Sequence, residues 1–313
     1  MLKNKTTNQN NCDLNYIIYS CNSQVKGEIS NSFSLPRVSF CIPTLNNEKT
    51  IECCIRSIVN QNYPDFEIII VDGYSTDQTV KIAKKYTNLI FYDSGFLGSA
   101  RQTGVEKATG EILALFDSDI IIPHKNWLRN AVPYFNIEQK ISTIWPVNIA
   151  PPNSNLVTQL YFNYWKLIMD YRLEKGHGYF GGGNSLITKK SIEAIGGINR
   201  SLHWGEDYDW AKKLKDIGYK VVYLQDPLYH DTMSSILIFT KKQFTGAKTF
   251  THTGFQFMGL STFDIFYEQI IIGFKGMFKG IFIERNFSWI IYPLFVIIRG
   301  LAYGYTYLMN LLK

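Results

Sequence analysis

Cysteine and charged residues are both scarce in this sequence of 313 residues, and each scarcity excludes a class of protein. Five cysteines at irregular spacing are too few for a disulfide-stapled domain, and no C-x-x-C pair indicates a zinc site. Charged residues make up 19% of the chain and hydrophobic residues 46%, which excludes a disordered chain and a highly charged coiled coil. This cysteine usage is typical of a reducing compartment.

Two phosphate-binding fingerprints are also excluded, one by its absence and one by its context. No G-x-x-x-x-G-K-[ST] sequence occurs, so P-loop chemistry is excluded. Residues 176–181 satisfy G-x-G-x-x-G, but they follow a helical pattern and precede a predicted strand, the reverse of the dinucleotide-binding order. We interpret the glycine-rich stretch 176–183 as mobile backbone that can approach a sugar or a phosphate closely.

The first 36 residues are rich in Asn, Ser and Thr, with one short apolar patch at 16–19. They contain no apolar run of the length that a signal peptide requires. We therefore expect a poorly ordered leader on a cytosolic protein.

From residue 37 onwards, short apolar runs alternate with helical patterns. The runs are continuous rather than alternating in polarity, which predicts strands covered on both faces, at 38–42, 68–71, 89–92 and 112–116. Strand–helix repeats at this spacing predict an α/β fold with an open, mostly parallel sheet flanked by helices. Further strands are expected at 141–147, 185–188 and 221–224, and helices at 51–59, 156–171 and 206–217.

Acidic residues follow several of these strands. Asp72 follows the second run, Asp93 the third, and Asp117 and Asp119 the fourth. A single Asp in such a place is more often a helix cap. Because ligands of open parallel sheets bind beyond the carboxyl ends of the strands, we expect these acids to meet at one edge, where a cation or ligand offsets their repulsion. The spacing Asp117-x-Asp119 suits Mg²⁺ or Mn²⁺ bridging a carboxylate to a substrate diphosphate.

Three further residues complete the candidate site. Arg101 could offset phosphate charge, although a surface role on its helix is equally compatible with the sequence. Glu206 and Asp207 open a helix whose predicted buried face consists of Trp210, Leu214 and Ile217. Acids in a first turn usually complement the helix dipole.

Four motifs together resemble family 2 glycosyltransferases of GT-A fold, over about residues 37–232. They are Val38–Asn46, Ile70–Asp77, Ala108–Glu111 leading into Asp117–Asp119, and Gly196-Gly197 followed by Glu206-Asp207. The resemblance implies inverting transfer of a sugar from a nucleotide sugar with the help of a divalent cation. It implies that Asp72 reads the nucleotide base, Asp117 lies near the ribose, Asp119 holds the metal and Asp207 is the general base. The other expected nucleotide-sugar contacts are Pro43, Thr44, Asn46, Arg101, Ser118 and Glu206.

The sequence departs from the family pattern in places. Gln102 stands where the family usually has Asn, which leaves the role of that position open. His230, after the last core strand, is a candidate second metal ligand, although a lone His there is more often structural. The Q-x-x-R-W motif of processive synthases does not occur, which favours addition of one sugar at a time.

The last 81 residues, 233–313, are basic, aromatic and apolar. They contain eight Lys or Arg against three Asp or Glu, and 18 of the 47 aromatic residues. This composition favours a membrane surface over nucleic acid as a partner, because nucleic-acid binding needs a basic stripe on the folded body. Phe274, Phe278 and Phe282 recur at helical spacing beside two lysines, which is typical of an interfacial helix.

Residues 288–312 are almost wholly apolar, but Arg299 interrupts them. An Arg near the centre of a span costs about 2.5–3.5 kcal/mol, and Pro293 predicts a kink. We therefore favour embedded or interfacial helices over a single span, with a helical subdomain packed on the catalytic core as the alternative. Interface anchors are expected at Trp289, Tyr292, Tyr303, Tyr305 and Tyr307.

The sequence thus predicts a leader (1–36), a GT-A glycosyltransferase domain (37–232) and a membrane-associated helical tail (233–313). The expected function is metal-dependent, inverting transfer of one sugar to a hydroxyl or phosphate of a lipid-linked acceptor, at the cytoplasmic face of the membrane. Alternatives are a soluble acceptor with an oligomerising tail, a nucleotidylyltransferase and a non-catalytic membrane scaffold. The nucleotidylyltransferase is disfavoured because no Gly/Arg-rich loop follows the first strand, and the scaffold because all four aspartates are present.

Overall fold

The computed structural model describes residues 16–19, 35–136, 140–176, 182–202, 205–232, 235–253 and 260–311. They divide into two compact units, Met1–Val147 with Phe180–Leu228, and Asn148–Tyr179 with Tyr229–Lys313. The second unit therefore includes residues 148–179, which the sequence analysis assigned to the glycosyltransferase domain.

The first unit is built on a mixed sheet that has nine strands among the described residues. They are β1 (Tyr16–Tyr19), β2 (Val38–Thr44), β3 (Phe66–Asp72), β4 (Ile90–Tyr92), β5 (Ile112–Leu115), β6 (Ile120–Ile121), β7 (Ile141–Ile149), β8 (Ser185–Thr188) and β9 (Lys220–His230). Their order is β1-β9-β7-β8-β5-β2-β3-β4, and β6 pairs with β9. The segment β5-β2-β3-β4 is parallel, whereas β8 runs antiparallel to β5 and β7. The predicted open, mostly parallel sheet is confirmed.

Strand β1 comes from the predicted leader. Its four residues pair in parallel with β9, with Tyr16 opposite Val221. These residues are therefore an exception to the expected lack of order. Residues 1–15 and 20–34 of the leader lie outside the described residues.

The helices of the first unit are α1 (Ile51–Val59), α2 (Thr79–Ala83), α3 (Leu97–Lys107), α4 (Trp127–Ala131), α6 (Lys189–Ala194) and α7 (Glu206–Asp216); α5 belongs to the second unit. In α1 the sequence periodicity predicts an apolar face of Ile51, Cys54, Ile55, Ile58 and Val59; the first four are buried, whereas Val59 is exposed. On the sheet, the rings of Phe40 and Trp127 each make an edge contact with Phe116. This packing joins β2 and α4 to the carboxyl end of β5.

The helices of the second unit are α5 (Leu156–Lys175), α8 (Ile236–Thr253), α9 (Thr262–Tyr267), α10 (Gly273–Phe282) and α11 (Tyr292–Leu311). A π-helical turn, Glu268–Ile272, joins α9 to α10. There Glu268 accepts two hydrogen bonds of 2.7 Å from the buried guanidinium of Arg172 on α5. Truncating one partner of such a pair leaves a buried charge, so this bond ties α5 firmly to the C-terminal helices.

Among the described residues, 287–309 form the one stretch that is long and apolar enough to cross a membrane. Of its 18-residue apolar segment, 39% is buried inside the protein. Pro293 lies in the first turn of α11, directly after a 3₁₀ helix at Phe287–Ile291, and the predicted kink stays a prediction. Two of the predicted interface anchors, Trp289 and Tyr292, are buried; Tyr305 and Tyr307 are exposed.

Candidate functional site

Three strand ends of the parallel segment meet at one edge of the sheet. Register places Thr44 of β2 opposite Asp72 of β3, and β5 ends beside β2 just before Asp117. Carboxylate oxygens of Asp117 and Asp119 lie within 4.8 Å of each other. The acids that follow β3 and β5 therefore lie at one edge of the sheet, with the end of β2 between them.

Asp72 is fully buried and holds the loop that follows it. Its Oδ2 accepts a hydrogen bond from the N–H of Ser75 (2.8 Å), and its Oδ1 accepts one from the Ser75 hydroxyl (2.6 Å). The Ser75 oxygen accepts in turn from the N–H of Asn46. Asn46 has φ 53°, a left-handed conformation that Asn tolerates better than most residues. Asp72 thus fixes the two loops that follow β2 and β3 against each other.

Pro43 and Thr44 are the last two residues of β2, and both are buried. The Thr44 hydroxyl donates to Oδ1 of Asn47 (3.1 Å), and the Thr44 carbonyl accepts the N–H of Gly73 (2.8 Å). The end of β2 is therefore rigidly joined to the loop after β3.

Asp93, which directly follows β4, bonds to side chains of α3 and to the turn that precedes this helix. Its carboxylate accepts hydrogen bonds from the N–H of Gly95 and from the hydroxyls of Ser99 and Thr103 on α3. Although burial opposes them, these hydrogen bonds lower the pKa of Asp93. The N-cap of α3 is Phe96 and no side chain caps it, so the capping interpretation does not account for Asp93.

Arg101 on α3 connects the strand ends to α7. Its buried guanidinium donates through Nη2 to Oδ1 of Asp117 (2.7 Å) and through Nε to Oε1 of Glu206 (3.0 Å). Its Nη1 donates to the carbonyl of Leu115 (3.3 Å), and the ring of Trp210 lies 5.8 Å from the guanidinium carbon. One guanidinium therefore neutralises two carboxylates, one on each side of the site.

Asp207 is the second residue of α7, whose N-cap is Gly205 (φ 80°). Its Oδ2 accepts the N–H of Gly183 (3.3 Å) and its Oδ1 accepts the N–H of Tyr208 (2.9 Å). Loss of hydration raises the pKa of Asp207, and these hydrogen bonds together with Arg101 oppose only part of that effect. A carboxylate with a raised pKa is a better proton acceptor than an ordinary Asp.

The glycines before β8 leave room for Asp207. A Cβ added to Gly182 would lie 2.7 Å from Oδ2 of Asp207, whereas one added to Gly183 meets its nearest atom at 3.5 Å. The described part of the glycine-rich loop thus approaches a carboxylate of the protein; residues 177–181 lie outside the described residues.

We expect Gly182→Ala to displace the Asp207 carboxylate and to reduce turnover about tenfold, because a misplacement of about 1 Å in a reactive group is costly. Gly183→Ala is the matched control, since its Cβ makes only ordinary contacts, and it should keep turnover within about twofold. Steady-state kinetics of both variants, with circular dichroism to confirm the fold, tests this. Equal turnover in the two variants would contradict the expectation.

Glu206 predicts a pH dependence of stability. Burial and the neighbouring Asp207 carboxylate raise the pKa of Glu206 from 4.5 to about 7, and Arg101 opposes this. Between these two values the folded state binds more protons than the unfolded state, so the stability that Glu206 contributes is fully present below about pH 4.5 and is lost as pH rises through 7. Urea titrations at pH 5 and pH 8 should show this loss, and Glu206→Gln should reduce it. An unchanged difference in the variant would contradict the assignment.

A family model described as glycosyl transferase family 2 matches residues 39–196, which is half of the chain. The chain belongs to glycosyltransferase family 2. Its relatives include glycosyltransferase AglE of Haloferax volcanii, 29% identical over 69% of this chain and 73% of that protein. Another is the poly(ribitol-phosphate) β-N-acetylglucosaminyltransferase TarS of Staphylococcus aureus, 32% identical over 40% of this chain and only 23% of that protein.

Among solved structures, the mannosyltransferase PcManGT of Pyrobaculum calidifontis, in complex with GDP-Man and Mn²⁺, superposes with a TM-score of 0.57. The alignment covers 86% of this chain and 87% of that one, at 17% identity. This similarity shows the GT-A fold. The protein is therefore a glycosyltransferase enzyme of GT-A fold.

Sequence reasoning missed Asn184, which comes directly before β8 of this glycosyltransferase. Its Oδ1 accepts the N–H of Asp117 (2.8 Å), and its Nδ2 donates to Oδ2 of Asp117 (3.1 Å). Asn184 has φ 59°, and its own N–H donates to the carbonyl of Leu115. The signal in the sequence was an Asn between a glycine run and a strand, a position where left-handed backbone is common.

Gln102, the departure from the family pattern, has a structural contact. Its Oε1 accepts the N–H of Ile198 (2.7 Å), and its Nε2 donates to Glu106 (3.0 Å). Gly197 provides the space, because a Cβ there would lie 2.8 Å from Oε1 of Gln102. Gln102 thus anchors the loop before α7.

Three predicted positions lie elsewhere than expected or remain predictions. Strand β9 continues through Pro227, so His230 is its last residue and belongs to the second unit, where its ring packs 5.3 Å from that of Phe162. Its role as a metal ligand stays a prediction. Ser118 is buried between the two aspartates, and no contact tests its expected role. Ile217 is exposed, since α7 ends before it, so its predicted burial is wrong.

Proposed function

We propose that this glycosyltransferase moves one sugar from a nucleoside-diphosphate sugar to an acceptor hydroxyl or phosphate, with inversion at the anomeric carbon. The observation that carries the proposal is the guanidinium of Arg101, which joins Asp117 at the strand ends to the helix turn that bears Asp207. Inverting displacement needs a base on the acceptor side and charge stabilisation on the leaving-group side. Arg101 holds Asp117, on the proposed leaving-group side, next to the helix turn that carries Asp207, the proposed base. The arrangement therefore meets both requirements.

The donor side is assigned to the strand ends. Asp72, with Pro43, Thr44 and Asn46 around it, is proposed to accept from the nucleobase, because its oxygens keep lone pairs beyond the hydrogen bonds from Ser75. Asp117, which Asn184 and Arg101 hold in place, is proposed to face the ribose. Ser118, the next residue, and Glu206, which also pairs with Arg101, are proposed to contact the nucleotide sugar as well. The relative PcManGT was solved with a nucleotide sugar, which supports this class of donor.

Asp117 and Asp119 fit a divalent cation. Hard cations prefer carboxylate oxygens, and two ligands on opposite sides of one Mg²⁺ lie about 4 Å apart, close to the separation of at most 4.8 Å here. Asp119 is the proposed protein ligand for Mg²⁺ or Mn²⁺, with His230 as a second candidate. When bound, the ion would neutralise the diphosphate as it leaves.

On the acceptor side, Asp207 is proposed to take the proton of the attacking hydroxyl. The N–H groups of Gly183 and Tyr208 hold its two oxygens in place, and the raised pKa favours proton uptake during attack. An acceptor phosphate needs no such base, because it is already ionised near neutral pH.

The proposed acceptor is lipid-linked, and the proposed location is the cytoplasmic face of the membrane. The apolar stretch 287–309 and the excess of basic residues in 233–313 support this. A soluble acceptor, with the tail used for self-association, is the alternative that the same apolar surface allows.

Removal of the metal tests the donor site. We expect release of nucleoside diphosphate from UDP- and GDP-sugars to require Mg²⁺ or Mn²⁺ and to stop with excess chelator. Asp119→Asn should weaken metal-dependent donor binding about tenfold or more, measured by calorimetry with and without Mn²⁺, because a carboxylate ligand is replaced by a weaker amide.

Asp65→Asn, at an exposed aspartate that pairs with Arg37, is the matched control and should bind as the wild type does. Equal activity with excess chelator would overturn the metal role. Absence of nucleoside diphosphate release from every donor, in protein that is folded and metal-loaded, would overturn the proposed function.

A further inference from the structure

Helix α11 of the second unit has two apolar faces. One is buried and includes Tyr292, Phe295, Ala302 and Thr306. The other is exposed along the whole helix and the turn before it, with side chains 45–62% exposed at Ile290, Leu294, Ile297, Leu301, Tyr305 and Leu308. Their spacing of three and four residues makes one continuous stripe, which we call the outer stripe. Exposed apolar stripes of this length mark an interaction surface.

Arg299 does not interrupt the outer stripe. It is buried on the opposite face, where its guanidinium carbon lies 4.6 Å from the centre of the Tyr164 ring and its Nε donates to Oε1 of Gln243 (3.2 Å). Arg299 is also the one charged residue between 287 and 311. The outer stripe is therefore free of charge, and the cost of an Arg in lipid, which argued against membrane contact, does not apply to this face.

Helix α10 of the same unit also exposes aromatic residues. Its buried face consists of Gly273, Gly276 and Gly280; Cβ atoms there would lie 1.7–2.2 Å from side chains of Tyr292, Leu167 and Trp289. Because the glycine face packs closely, Phe278 and Phe282 lie on the exposed face of α10, where their ring centres are 6.2 Å apart. The orientation of α10 is thus set by its glycines.

Basic residues lie beside these phenylalanines. Lys275 and Lys279 are exposed on α10, and Arg285 is exposed after it, with Glu284 as the one acid in this segment. Lysines next to exposed aromatic rings match the boundary between acyl chains and anionic headgroups. Two copies meeting through the same surface would bring basic residues against basic residues, which disfavours self-association.

A crossing orientation conflicts with the neighbour of α11. The buried face of α11 packs on α8, where Phe239 stacks on Phe295 at 3.8 Å. Helix α8 exposes Lys241 and Lys242, so α11 cannot enter the hydrocarbon along its whole length without taking these lysines with it. A helix that lies in the plane of the membrane surface exposes only its outer stripe to lipid.

We propose that the outer stripe of α11, with Phe278 and Phe282 of α10, docks on the surface of an anionic lipid bilayer with α11 parallel to the membrane plane. The inference rests on the proposed action at a membrane and specifies how that contact is made. It assigns the surface to lipid rather than to a second copy of the chain.

Flotation with vesicles tests the proposal on the full-length protein. We expect binding to vesicles of equal parts phosphatidylcholine and phosphatidylglycerol, and much weaker binding to pure phosphatidylcholine. Ile297→Glu or Leu301→Glu should lower the partition coefficient about tenfold or more, because each places a charge in the acyl boundary. Val59→Glu makes the same kind of change at an exposed apolar residue of α1 and should bind as the wild type does.

Alkaline carbonate distinguishes docking from spanning. Bound protein should be released by the wash, and protein that resists it would overturn the in-plane orientation. Failure to float with anionic vesicles would overturn the proposal, as would a dimer that Ile297→Glu converts to a monomer in light scattering. Calorimetric Mn²⁺-dependent nucleotide binding is measured on the same samples, so that loss of vesicle binding with intact nucleotide binding counts against the docking surface alone.

Discussion

Replacing Asp207 by Asn is expected to lower kcat by about 10²–10⁴, with little change in the donor KM, because the variant loses the proton acceptor and keeps its shape. In Asn one of the two oxygens becomes an amide nitrogen, which cannot accept, so the variant keeps only one of the hydrogen bonds from the N–H groups of Gly183 and Tyr208. Circular dichroism of the variant must therefore show that the fold is intact. Steady-state rates of nucleoside diphosphate release, with an acceptor present, measure the effect.

The helix that bears Asp207 supplies a matched control. Asp209 lies in the same first turn, and its carboxylate pairs with Lys213 at 2.7 Å. Asp209→Asn removes the same charge two residues away and should keep turnover within about twofold. Full activity in Asp207→Asn, with the fold intact, would move the role of base to another group, and Glu206 would then be the first to test.

Replacing Arg101 by Met is expected to reduce the free energy of unfolding by about 3–5 kcal/mol. The guanidinium is the buried partner of both Asp117 and Glu206, and truncating it leaves carboxylates without their cation in a site of low hydration. Since a domain of this kind is stable by about 5–15 kcal/mol, the loss is a large share of the total. Urea denaturation followed by circular dichroism measures it.

Two further variants separate burial of charge from loss of an ordinary ion pair. Arg200→Met removes ion pairs with Glu106 (2.7 Å) and Asp93 (3.5 Å), together with hydrogen bonds to Ser99 and Thr103, from a half-exposed side chain, and should cost about 1 kcal/mol. Adding Glu206→Gln to Arg101→Met should recover part of the lost stability, because one uncompensated carboxylate is removed. If Arg101→Met and Arg200→Met had equal free energies of unfolding, the buried network would contribute no more to stability than the contacts of Arg200.

The sequence predicted the parallel part of the sheet well, because buried strands carry a local signal. Continuous apolar runs marked β2, β3, β4 and β5 to within two residues, and the Asp that follows each of the last three runs located the acidic edge. The direction of β8 has no such signal, since an apolar run reads the same for a parallel or an antiparallel neighbour.

Contacts between distant parts of the chain could not be predicted. Gln102 meets Ile198, and Asn184 meets Asp117, only because the fold brings these segments together. The same holds for Arg299, which the sequence presents as a charge within an apolar helix. Which face of the helix carries it depends on Tyr164 and Gln243, which are far away in the chain.

The stacking of Phe295 on Phe239 has a practical consequence for anyone who wishes to crystallise the enzyme. Deleting the last helix to avoid detergent would uncover Phe239 and Tyr164, which are buried in the intact chain. A shortened protein would expose a different apolar surface and precipitate. Polar substitutions at Ile297 and Leu301 offer a better route to a soluble sample.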